Sequence, residues 1–524
     1  MMLAKMLLGS LTLVFLPLSA CAFAVGGERP NIVIILADDL GYADLGCQGC
    51  RDIPTPYIDS IAAAGVRFTD GYATHPVCSP SRAGLMSGMY QHRFGFEHNS
   101  GPERYAAPNF GLPREIPTLA ERLKAVGYST GMIGKWHIGF KQGLRPHERG
   151  FDYHYGFLSG ARSYYPDDPR EQDPLIRNGV PVTDEKEYLT DAFGREATAF
   201  IERSKDGPFL LYLAFNAVHS PLQATKRYED RFPGITDPKR RTYAGMTAAL
   251  DDAVGLVLAT LREHDLEEDT LIFFYSDNGG PTPQTTSRND PLRGYKGQLF
   301  EGGIRVPFLV LWKGKLPAGA VYRKPVMAFD ITATVLAAAG LETPEDLDGV
   351  NLLPFLLGQQ GNAPHASLFW RAGLQHAARV GDWKLVHDPR QADADLLFHL
   401  ADDISEQSDL AASKPEKLKE LQTAFAQWEK GTQPAKWVRQ DARNAELGGK
   451  LKPAAERTTS RRGSPRIVEA FRNADANGDG KLSADEFPRP TVFRIVDSDG
   501  DGFATLDEVR TYYANRRSQR GAQP

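Results

Sequence analysis

Four apolar segments of the sequence each run directly into side chains that can bind a cation or move a proton. The polar residues that follow them are Asp38 and Asp39, Lys135 and His137, His219, and Asp277 and Asn278. Carboxylate and amide oxygens are hard ligands that suit Ca²⁺ or Mg²⁺ better than a thiophilic metal. Asp and Asn at a strand end often only begin a turn, and this would explain either Asp38–Asp39 or Asp277–Asn278 taken alone. Two such pairs beside the Lys and His residues favour a divalent-metal site, because adjacent buried carboxylates repel each other without a cation.

These polar residues are predicted to share one edge of a parallel sheet. Continuous apolar runs of this kind are typical of buried strands covered by helices on both faces. The four runs cover residues 31–37, 129–134, 209–215 and 271–276. Helix-like stretches at 118–126 and 243–261 lie between them, and this alternation indicates an α/β fold. Since ligands of such folds bind beyond the carboxyl ends of the strands, we predict one site there.

A cysteine at the predicted start of a helix supplies a candidate nucleophile. Residues 75–90 read His-Pro-Val-Cys-Ser-Pro-Ser-Arg-Ala-Gly-Leu-Met-Ser-Gly-Met-Tyr, with Pro80 and Ser81 where a helix would begin. The unpaired N–H groups of a helix start attract an anion towards Cys78. Arg82 adds a planar donor fork that matches a tetrahedral oxyanion. A single cysteine is usually a small buried apolar residue, but this context favours a reactive one.

The segment from Cys78 to Arg82 resembles the Cys-x-Pro-Ser-Arg signature of the type I sulfatases of the alkaline phosphatase superfamily, whose cysteine is oxidised to formylglycine. The other matching motifs, in the family's order, are Asp38-Asp39, Gly134-Lys135-Trp136-His137, His219, Asp277-Asn278-Gly279 and Gly294-Tyr295-Lys296-Gly297. The resemblance extends over residues 29–429. One departure is Met89, where the family usually has an arginine.

The resemblance implies a large alkaline-phosphatase-like sheet flanked by helices, with a smaller C-terminal α+β subdomain. It also implies a catalytic Ca²⁺, whose ligands would be Asp38, Asp39, Asp277, Asn278 and the modified Cys78. One hydroxyl of the formylglycine hydrate would attack the sulfur of a sulfate monoester. The other hydroxyl would then lose its proton, expel sulfate and regenerate the aldehyde.

The same resemblance assigns roles to the basic residues. Arg82, Lys135 and Lys296 would surround the sulfuryl oxygens and stabilise their developing charge. His219 would protonate the leaving alcohol, alone or with Lys296, and His137 would assist collapse of the hydrate.

The substrate is less closely defined than the reaction. Residues that flank the motifs either line a pocket for a sulfated sugar or make local hydrogen bonds; they are His75, His92, His98, Arg145 and His147. The predicted substrate is a sulfated saccharide. Two alternatives stay open, namely a phosphate or phosphonate ester hydrolase of the same superfamily and a catalytically silent calcium-dependent glycan-binding protein.

A second calcium motif lies near the C-terminus. Residues 475–486 and 497–508 each match the twelve-residue EF-hand loop, with Gly in the sixth position and Glu in the twelfth. The predicted ligands are Asp475, Asn477, Asp479, Lys481, Glu486, Asp497, Asp499, Asp501, Phe503 and Glu508. The two loops start only 22 residues apart. We therefore predict a short all-α module that binds up to two Ca²⁺ and is either structural or docks a protein partner.

The N-terminus carries a pattern typical of exported proteins. Lys5, an apolar stretch and an Ala-x-Ala site read as a secretory signal peptide. The segment ending in Cys21 also resembles a lipoprotein signal, so the predicted destinations are the periplasm, the medium or a lipid anchor on the cell surface. The predicted organisation is a signal peptide (1–24), catalytic domain (29–355), C-terminal subdomain (356–430), linker (431–463), EF-hand-like pair (464–512) and basic tail (513–524).

Composition excludes several other classes of protein. Lys plus Arg number 61 against 66 Asp plus Glu, a formal charge of −5, which argues against a generally basic nucleic-acid binder. Four cysteines are too few for a disulfide scaffold. Cys47 and Cys50 are predicted to form either a local disulfide or two free thiols. No interior apolar run is long enough to predict a membrane span.

Overall fold

The structure is a computed structural model that describes residues 29–100, 107–392, 394–437 and some positions between 471 and 512. The chain divides into two compact units, residues 1–438 and 439–524. The predicted signal peptide, most of the predicted linker and the predicted basic tail lie outside the described residues.

The first unit is built on strands that form one large sheet and two smaller ones. Its strands are β1 Asn31–Ala37, β2 Val66–Phe68, β3 Gly71–Tyr72, β4 Ser129–Lys135, β5 Tyr153–Phe157, β6 Ile176–Arg177, β7 Val180–Pro181, β8 Phe209–Ala214, β9 Thr270–Ser276, β10 Phe308–Trp312, β11 Ala320–Tyr322, β12 Val326–Met327, β13 Ser367–Ala372, β14 Gln375–Val380, β15 Trp383–His387 and β16 Leu396–His399. The large sheet has ten strands in the order β11-β2-β10-β9-β1-β8-β4-β5-β6-β7. Its central strands β9, β1, β8, β4 and β5 are parallel, so their carboxyl ends meet at one edge.

Helices cover both faces of this sheet, as the continuous apolar strands predict. The helices are α1 Pro56–Ala64, α2 Cys78–Ser87, α3 Leu119–Lys124, α4 Leu189–Ser204, α5 Lys226–Glu229, α6 Pro238–Glu263, α7 Thr282–Thr285, α8 Glu301–Ile304, α9 Phe329–Ala338, α10 Leu353–Leu356 and α11 Pro415–Glu429. Alternate residues of β1 pack into opposite cores, Ile32 with α2, α3 and α9, and Val33 with α1, α4 and α6. The predicted α/β class is confirmed.

The predicted elements of this core are present, with small differences at their ends. Strand β1 has the predicted bounds. Helix α3 begins after Thr118, whose side chain and that of Glu121 cap the helix start reciprocally. Helix α6 starts five residues earlier than predicted, at Pro238. Among the described helices, α6 alone is long and apolar enough to cross a membrane, but 83% of its most apolar window is buried inside the fold.

A four-stranded antiparallel sheet, β13-β14-β15-β16, forms the predicted C-terminal subdomain. Its four strands follow one another along the chain and pair in that order. Helix α11 packs Leu421 and Phe425 against this sheet.

A buried charge cluster joins this sheet to helix α8, which precedes β10. The Lys384 ammonium lies 2.7 Å from a Glu301 carboxylate oxygen and 2.9 Å from one of Glu406. A second Glu406 oxygen accepts the Glu301 N–H at 2.7 Å. Burial raises the pKa of Glu301, but Lys384, Arg305 and Arg379 together more than offset this and lower it to about 2. Because Glu301 starts α8, the cluster anchors the chain just beyond Lys296.

Substituting Lys384→Met should lower the free energy of unfolding by about 3 kcal/mol, because it leaves two buried carboxylates without their shared cation. Chemical denaturation measures this change. Lys313→Met is the matched control, since its pair with Glu267 is half exposed and should contribute less than about 1 kcal/mol. Equal losses in the two variants would contradict the importance of the buried cluster.

Cys47 and Cys50 are free thiols, the second of the two arrangements predicted for them. Burial raises the pKa of Cys47 to about 12. The Cys50 thiol lies 3.3 Å from a carboxylate oxygen of Asp52. Both features favour a structural role for these thiols, since a thiolate is what reacts.

The second unit contains a short antiparallel pair, β17 Lys481–Ser483 and β18 Phe503–Thr505, with Leu482 opposite Ala504. The module is therefore not built from helices alone, because the two predicted loops also pair through these strands. Phe471, Phe487, Phe493, Val496 and Val509 form an apolar cluster with this strand pair.

Candidate active site

The carboxyl ends of four neighbouring strands bring the predicted site residues together. Asp38 follows β1, Lys135 ends β4, and Asp277 follows β9. His219 lies shortly after β8, which runs between β1 and β4. Residues more than two hundred positions apart therefore meet at one edge, as the parallel order of the strands predicts.

Cys78 is the first residue of α2 and is buried at this edge. Its sulfur lies 3.6 Å from a carboxylate oxygen of Asp38 and 3.2 Å from the Lys296 ammonium. Burial raises the pKa of the Cys78 thiol to about 12, although Lys135 and Lys296 act in the opposite direction. The surrounding side chains alone therefore leave this thiol protonated, which makes it a weak nucleophile.

Each acidic residue of the site has a basic partner. Asp38 and Lys135 are 2.6 Å apart, as are Asp39 and Lys296. Asp277 accepts a hydrogen bond from Arg82 Nε at 2.9 Å, and Arg82 Nη2 lies 2.8 Å from the same carboxylate oxygen.

Burial raises the pKa of Asp38, but Lys135, His219 and Arg82 together hold it below its ordinary value. Three carboxylates formally balance three cations in this cluster. A bound divalent cation would therefore leave a net positive charge, which suits an anionic ester.

Four side chains could share one metal ion. The ligand atoms of Asp38, Asp39, Cys78 and His219 all lie within 4.8 Å of one another. The Asn278 amide nitrogen donates to Asp39 at 2.7 Å, while its oxygen is buried and has no hydrogen-bond partner among the described residues. A buried amide oxygen left in this way fits a hard cation as its partner.

The predicted ligand set of Asp38, Asp39, Asp277, Asn278 and the modified Cys78 stays a prediction. His219 lies among the clustered ligand atoms as well, and Arg82 engages one Asp277 oxygen. Asp39 has a φ of 65°, a backbone conformation that non-glycine residues adopt rarely and at a cost of about 1–3 kcal/mol. Strain of this kind concentrates at functional sites.

The two histidines of the site differ in their surroundings. His219 Nε2 lies 3.5 Å from Asp39, and its Nδ1 contacts the Ser220 carbonyl. Burial lowers the pKa of His219 in spite of Asp39, so a neutral ring is favoured at pH 7. Burial, reinforced by Lys135, places the pKa of His137 well below its ordinary value. His137 Nε2 lies 3.0 Å from the Ser100 carbonyl, which orients its ring.

Some positioning residues were not predicted from the sequence. The Tyr164 hydroxyl donates to the carbonyls of Asn216 and His219, at 2.5 and 2.8 Å, and so holds the turn that carries His219. Ser79 and Ser100 donate to the His137 carbonyl. No spacing or composition signal marks these residues, because they act only through main-chain groups that the fold brings near.

The five flanking residues predicted either to bind a sugar or to make local hydrogen bonds differ in burial and in their contacts. His75 and His92 are buried with ring centroids 6.0 Å apart, and a His92 ring nitrogen lies 2.8 Å from the Arg371 carbonyl. Arg145 donates to the Phe140 carbonyl at 2.8 Å. His147 is exposed. Local hydrogen bonds therefore account for His92 and Arg145, whereas sugar binding by any of the five stays a prediction.

Residues 30–341 match the family model for sulfatases. The chain belongs to the sulfatase family. Residues 295–430 of this sulfatase also match a model described as N-sulphoglucosamine sulphohydrolase, C-terminal, and residues 467–489 match an EF-hand model. These matches confirm that the chain is an enzyme of the sulfatase class and that it carries an EF-hand-like segment.

Named relatives match over most of the chain. This sulfatase is 34% identical to the N-acetylgalactosamine-6-sulfatase of Sus scrofa over 394 residues, 70% of this chain and 74% of that protein. It is 33% identical to arylsulfatase J of Mus musculus, over 82% of this chain and 80% of that protein. A solved structure of Ps i-CgsB in complex with k-i-k-neocarrahexaose matches with a TM-score of 0.75 and 37% identity, covering 82% of this chain and 99% of that one.

The EF-hand-like loops hold their described acidic residues in equivalent positions. Glu486 accepts hydrogen bonds from the N–H and hydroxyl of Ser483, and Glu508 accepts them from the N–H and hydroxyl of Thr505. Gly502, at the sixth position of the second loop, has a φ of 87°, as the sharp turn there requires. The other described ligand positions are Asp475, Lys481, Asp497, Asp501 and Phe503. Asn477, Asp479 and Asp499 lie outside the described residues.

Proposed function

We propose that this sulfatase removes sulfate from a sulfated carbohydrate by means of Ca²⁺ and a formylglycine formed from Cys78. The observation that carries the proposal is the convergence of Cys78 with Asp38, Asp39 and Lys296 at one strand edge. A protonated thiol in this position is a weak nucleophile. The hydrate of a formylglycine would supply hydroxyl groups in its place, and the cation would supply positive charge beside them.

The chain's own residues would bind and orient the ester. Arg82, Lys135 and Lys296 surround the Cys78 position with fixed positive charge and would stabilise the sulfuryl oxygens as charge moves to the leaving group. Asp38, Asp39 and Asn278 are the side chains placed to bind the cation, and His219 lies beside them. Asp277 holds Arg82 in its orientation and can turn its other oxygen to the same ion.

His219 is the proposed proton donor to the leaving alcohol. It lies at the open side of the cluster with 16% of its side chain exposed, more than Asp39 with 2%. His219 Nδ1 donates to the Ser220 carbonyl, and this contact orients the ring. Because Nδ1 then holds one proton, Nε2 carries a second only in the imidazolium form, so His219 would act as the acid in that form, which Asp39 beside Nε2 favours.

His219→Ala should reduce turnover of an unactivated alkyl sulfate by about 10²–10⁴-fold, the usual scale for loss of a general acid. Turnover of 4-nitrophenyl sulfate should fall much less, because its leaving group needs little protonation. His399→Ala is a matched control on a partly buried histidine paired with Asp402, and it should leave both rates unchanged. Equal effects of His219→Ala on the two substrates would exclude the proton-donor role.

The two alternative functions are separated by direct measurements. Aryl sulfate and aryl phosphate turnover, compared on the same preparation, distinguishes a sulfatase from a phosphate ester hydrolase. Peptide mass spectrometry across Cys78, on protein from the native host, distinguishes an enzyme from a silent binding protein. We expect an aldehyde at position 78 and a clear preference for sulfate. An unmodified thiol with no turnover would favour glycan binding alone.

We propose a sulfated galactose or galactosamine unit as the substrate. One supporting relative is named N-acetylgalactosamine-6-sulfatase, and the similar solved structure of Ps i-CgsB is a complex with k-i-k-neocarrahexaose. Purified enzyme assayed against carrageenan oligosaccharides and 6-sulfated N-acetylgalactosamine, with sulfated glucosamine as the control sugar, tests this choice. Release of sulfate from the glucosamine alone would contradict it.

We propose that the EF-hand-like pair binds two Ca²⁺ and that these ions stabilise the fold of the module. Glu486→Gln combined with Glu508→Gln should remove two equivalents of bound calcium and leave turnover within about two-fold, because neither residue belongs to the catalytic cluster. Calcium content measured by elemental analysis checks this result. An unchanged calcium content would refute the loop assignment, and a large loss of turnover would refute its separation from catalysis.

Export of the enzyme is also proposed. The support is the charged, apolar and Ala-x-Ala pattern of the first 24 residues. Mass analysis of the mature N-terminus decides between the two forms, since a chain beginning at Val25 excludes lipidation at Cys21.

A further inference from the structure

The small C-terminal sheet carries a second cluster of metal-binding side chains, apart from the catalytic and EF-hand-like residues. His376 on β14 and His387 on β15 lie directly opposite each other in the antiparallel register. Asp395 immediately precedes β16. His387 Nδ1 lies 2.9 Å from an oxygen of Asp395, and His376 Nε2 lies 3.6 Å from the same oxygen.

We propose that His376, His387 and Asp395 form a binding site for a transition-metal ion of the Zn²⁺ type. One ligand atom from each residue lies within 4.8 Å of the other two. The donor separations of 2.9 and 3.6 Å bracket the roughly 3.3 Å between two ligands of a tetrahedral zinc ion. Two imidazole nitrogens and one carboxylate oxygen suit Zn²⁺, Co²⁺ or Ni²⁺, whereas Ca²⁺ takes oxygen ligands.

The surroundings of the cluster favour an ion over a simple surface ion pair. Gln422 on α11 donates to the other Asp395 oxygen at 2.7 Å, so one oxygen is anchored and the other stays turned to the histidines. Outer hydrogen bonds of this kind orient the carboxylate ligands of metal sites. Phe425 stacks on the His376 ring at 4.6 Å between centroids, which limits its rotation.

The exposure of the cluster also suits metal uptake. The three side chains are 15–26% exposed, so an ion can reach them from solvent.

A bound ion would connect three consecutive parts of the subdomain sheet. It would join β14, β15 and the segment that enters β16, while Gln422 links the site to α11. The role proposed for the site is therefore structural, because it stabilises the sheet without touching the catalytic cluster. No residue of the proposed site is shared with the set around Cys78.

Zinc titration of the tag-free full chain tests the proposal, with Ca²⁺ in excess to hold the calcium sites filled. Calorimetry should detect one zinc equivalent per chain, and Co²⁺ should give the visible absorption of a tetrahedral site. His387→Asn and Asp395→Asn should each weaken zinc binding at least ten-fold, and Gln422→Leu by about 10–100-fold. Zinc should raise the melting temperature of the parent protein but not that of His387→Asn.

The matched control is His399→Asn, which removes another histidine–aspartate pair from the same sheet and should keep full zinc binding. Circular dichroism establishes that each variant is folded. Absence of zinc binding by the parent protein would overturn the proposal. So would equal binding by folded His387→Asn and Asp395→Asn, since the zinc would then lie elsewhere.

Discussion

Cys78→Ala should lower the turnover of sulfate esters by about 10⁴-fold or more, the scale of losing a catalytic nucleophile. Alanine has no side-chain group that can become an aldehyde or attack sulfur. The Lys296 ammonium and Asp38 carboxylate that flank the thiol would remain in place. Steady-state kinetics on 4-nitrophenyl sulfate measures the loss, and inhibition by sulfate should persist because the basic residues are unchanged.

Cys47→Ala is the matched control for this substitution. Cys47 is a partly buried free thiol in the same unit and lies outside the acidic cluster. Its replacement should leave turnover within about two-fold, as expected for a side chain that contacts no reacting atom. Retained activity in Cys78→Ala, or an equal loss in Cys47→Ala, would contradict the assignment of Cys78 as the source of the nucleophile.

Asp39→Ala is expected to reduce turnover by about 10³-fold or more, because it removes both a cation ligand and the partner of Lys296. It should also abolish binding of the catalytic ion. Calcium content is best measured in the Glu486→Gln and Glu508→Gln double variant, which should retain only the catalytic ion. Adding Asp39→Ala to that variant should lower its bound calcium from one equivalent to none.

Asp52→Ala serves as the matched control for the loss of a carboxylate. Asp52 pairs with Arg240 at 3.0 Å and is not part of the clustered ligand set. Calcium content and turnover should both be retained in this variant. An Asp39→Ala enzyme that keeps its last calcium equivalent would show that the ion binds elsewhere.

The meeting of the site residues at one strand edge could be predicted from the sequence, because it depends on local patterns. Continuous apolar runs mark β1 and β9, and the residues after them must lie at the carboxyl edge of a parallel sheet. The Pro-Ser pair after Cys78 likewise places that residue at a helix start, where α2 begins.

Contacts that depend on tertiary packing could not be predicted in this way. The cluster of Lys384 with Glu301 and Glu406 joins residues up to 105 positions apart, and no periodicity links them. The engagement of Asp277 by Arg82 depends on how α2 packs against the sheet. The meeting of His376 and His387 requires the exact strand register, which a shift of one residue would destroy.

A crystal structure of the active enzyme from its native host, with anomalous scattering used to locate the cation, tests the central claim most directly. We expect an oxygen-bearing formylglycine at position 78, bound to the same divalent ion as Asp38 and Asp39. A fully active enzyme with an intact thiol at position 78, or with no ion beside these carboxylates, would contradict it.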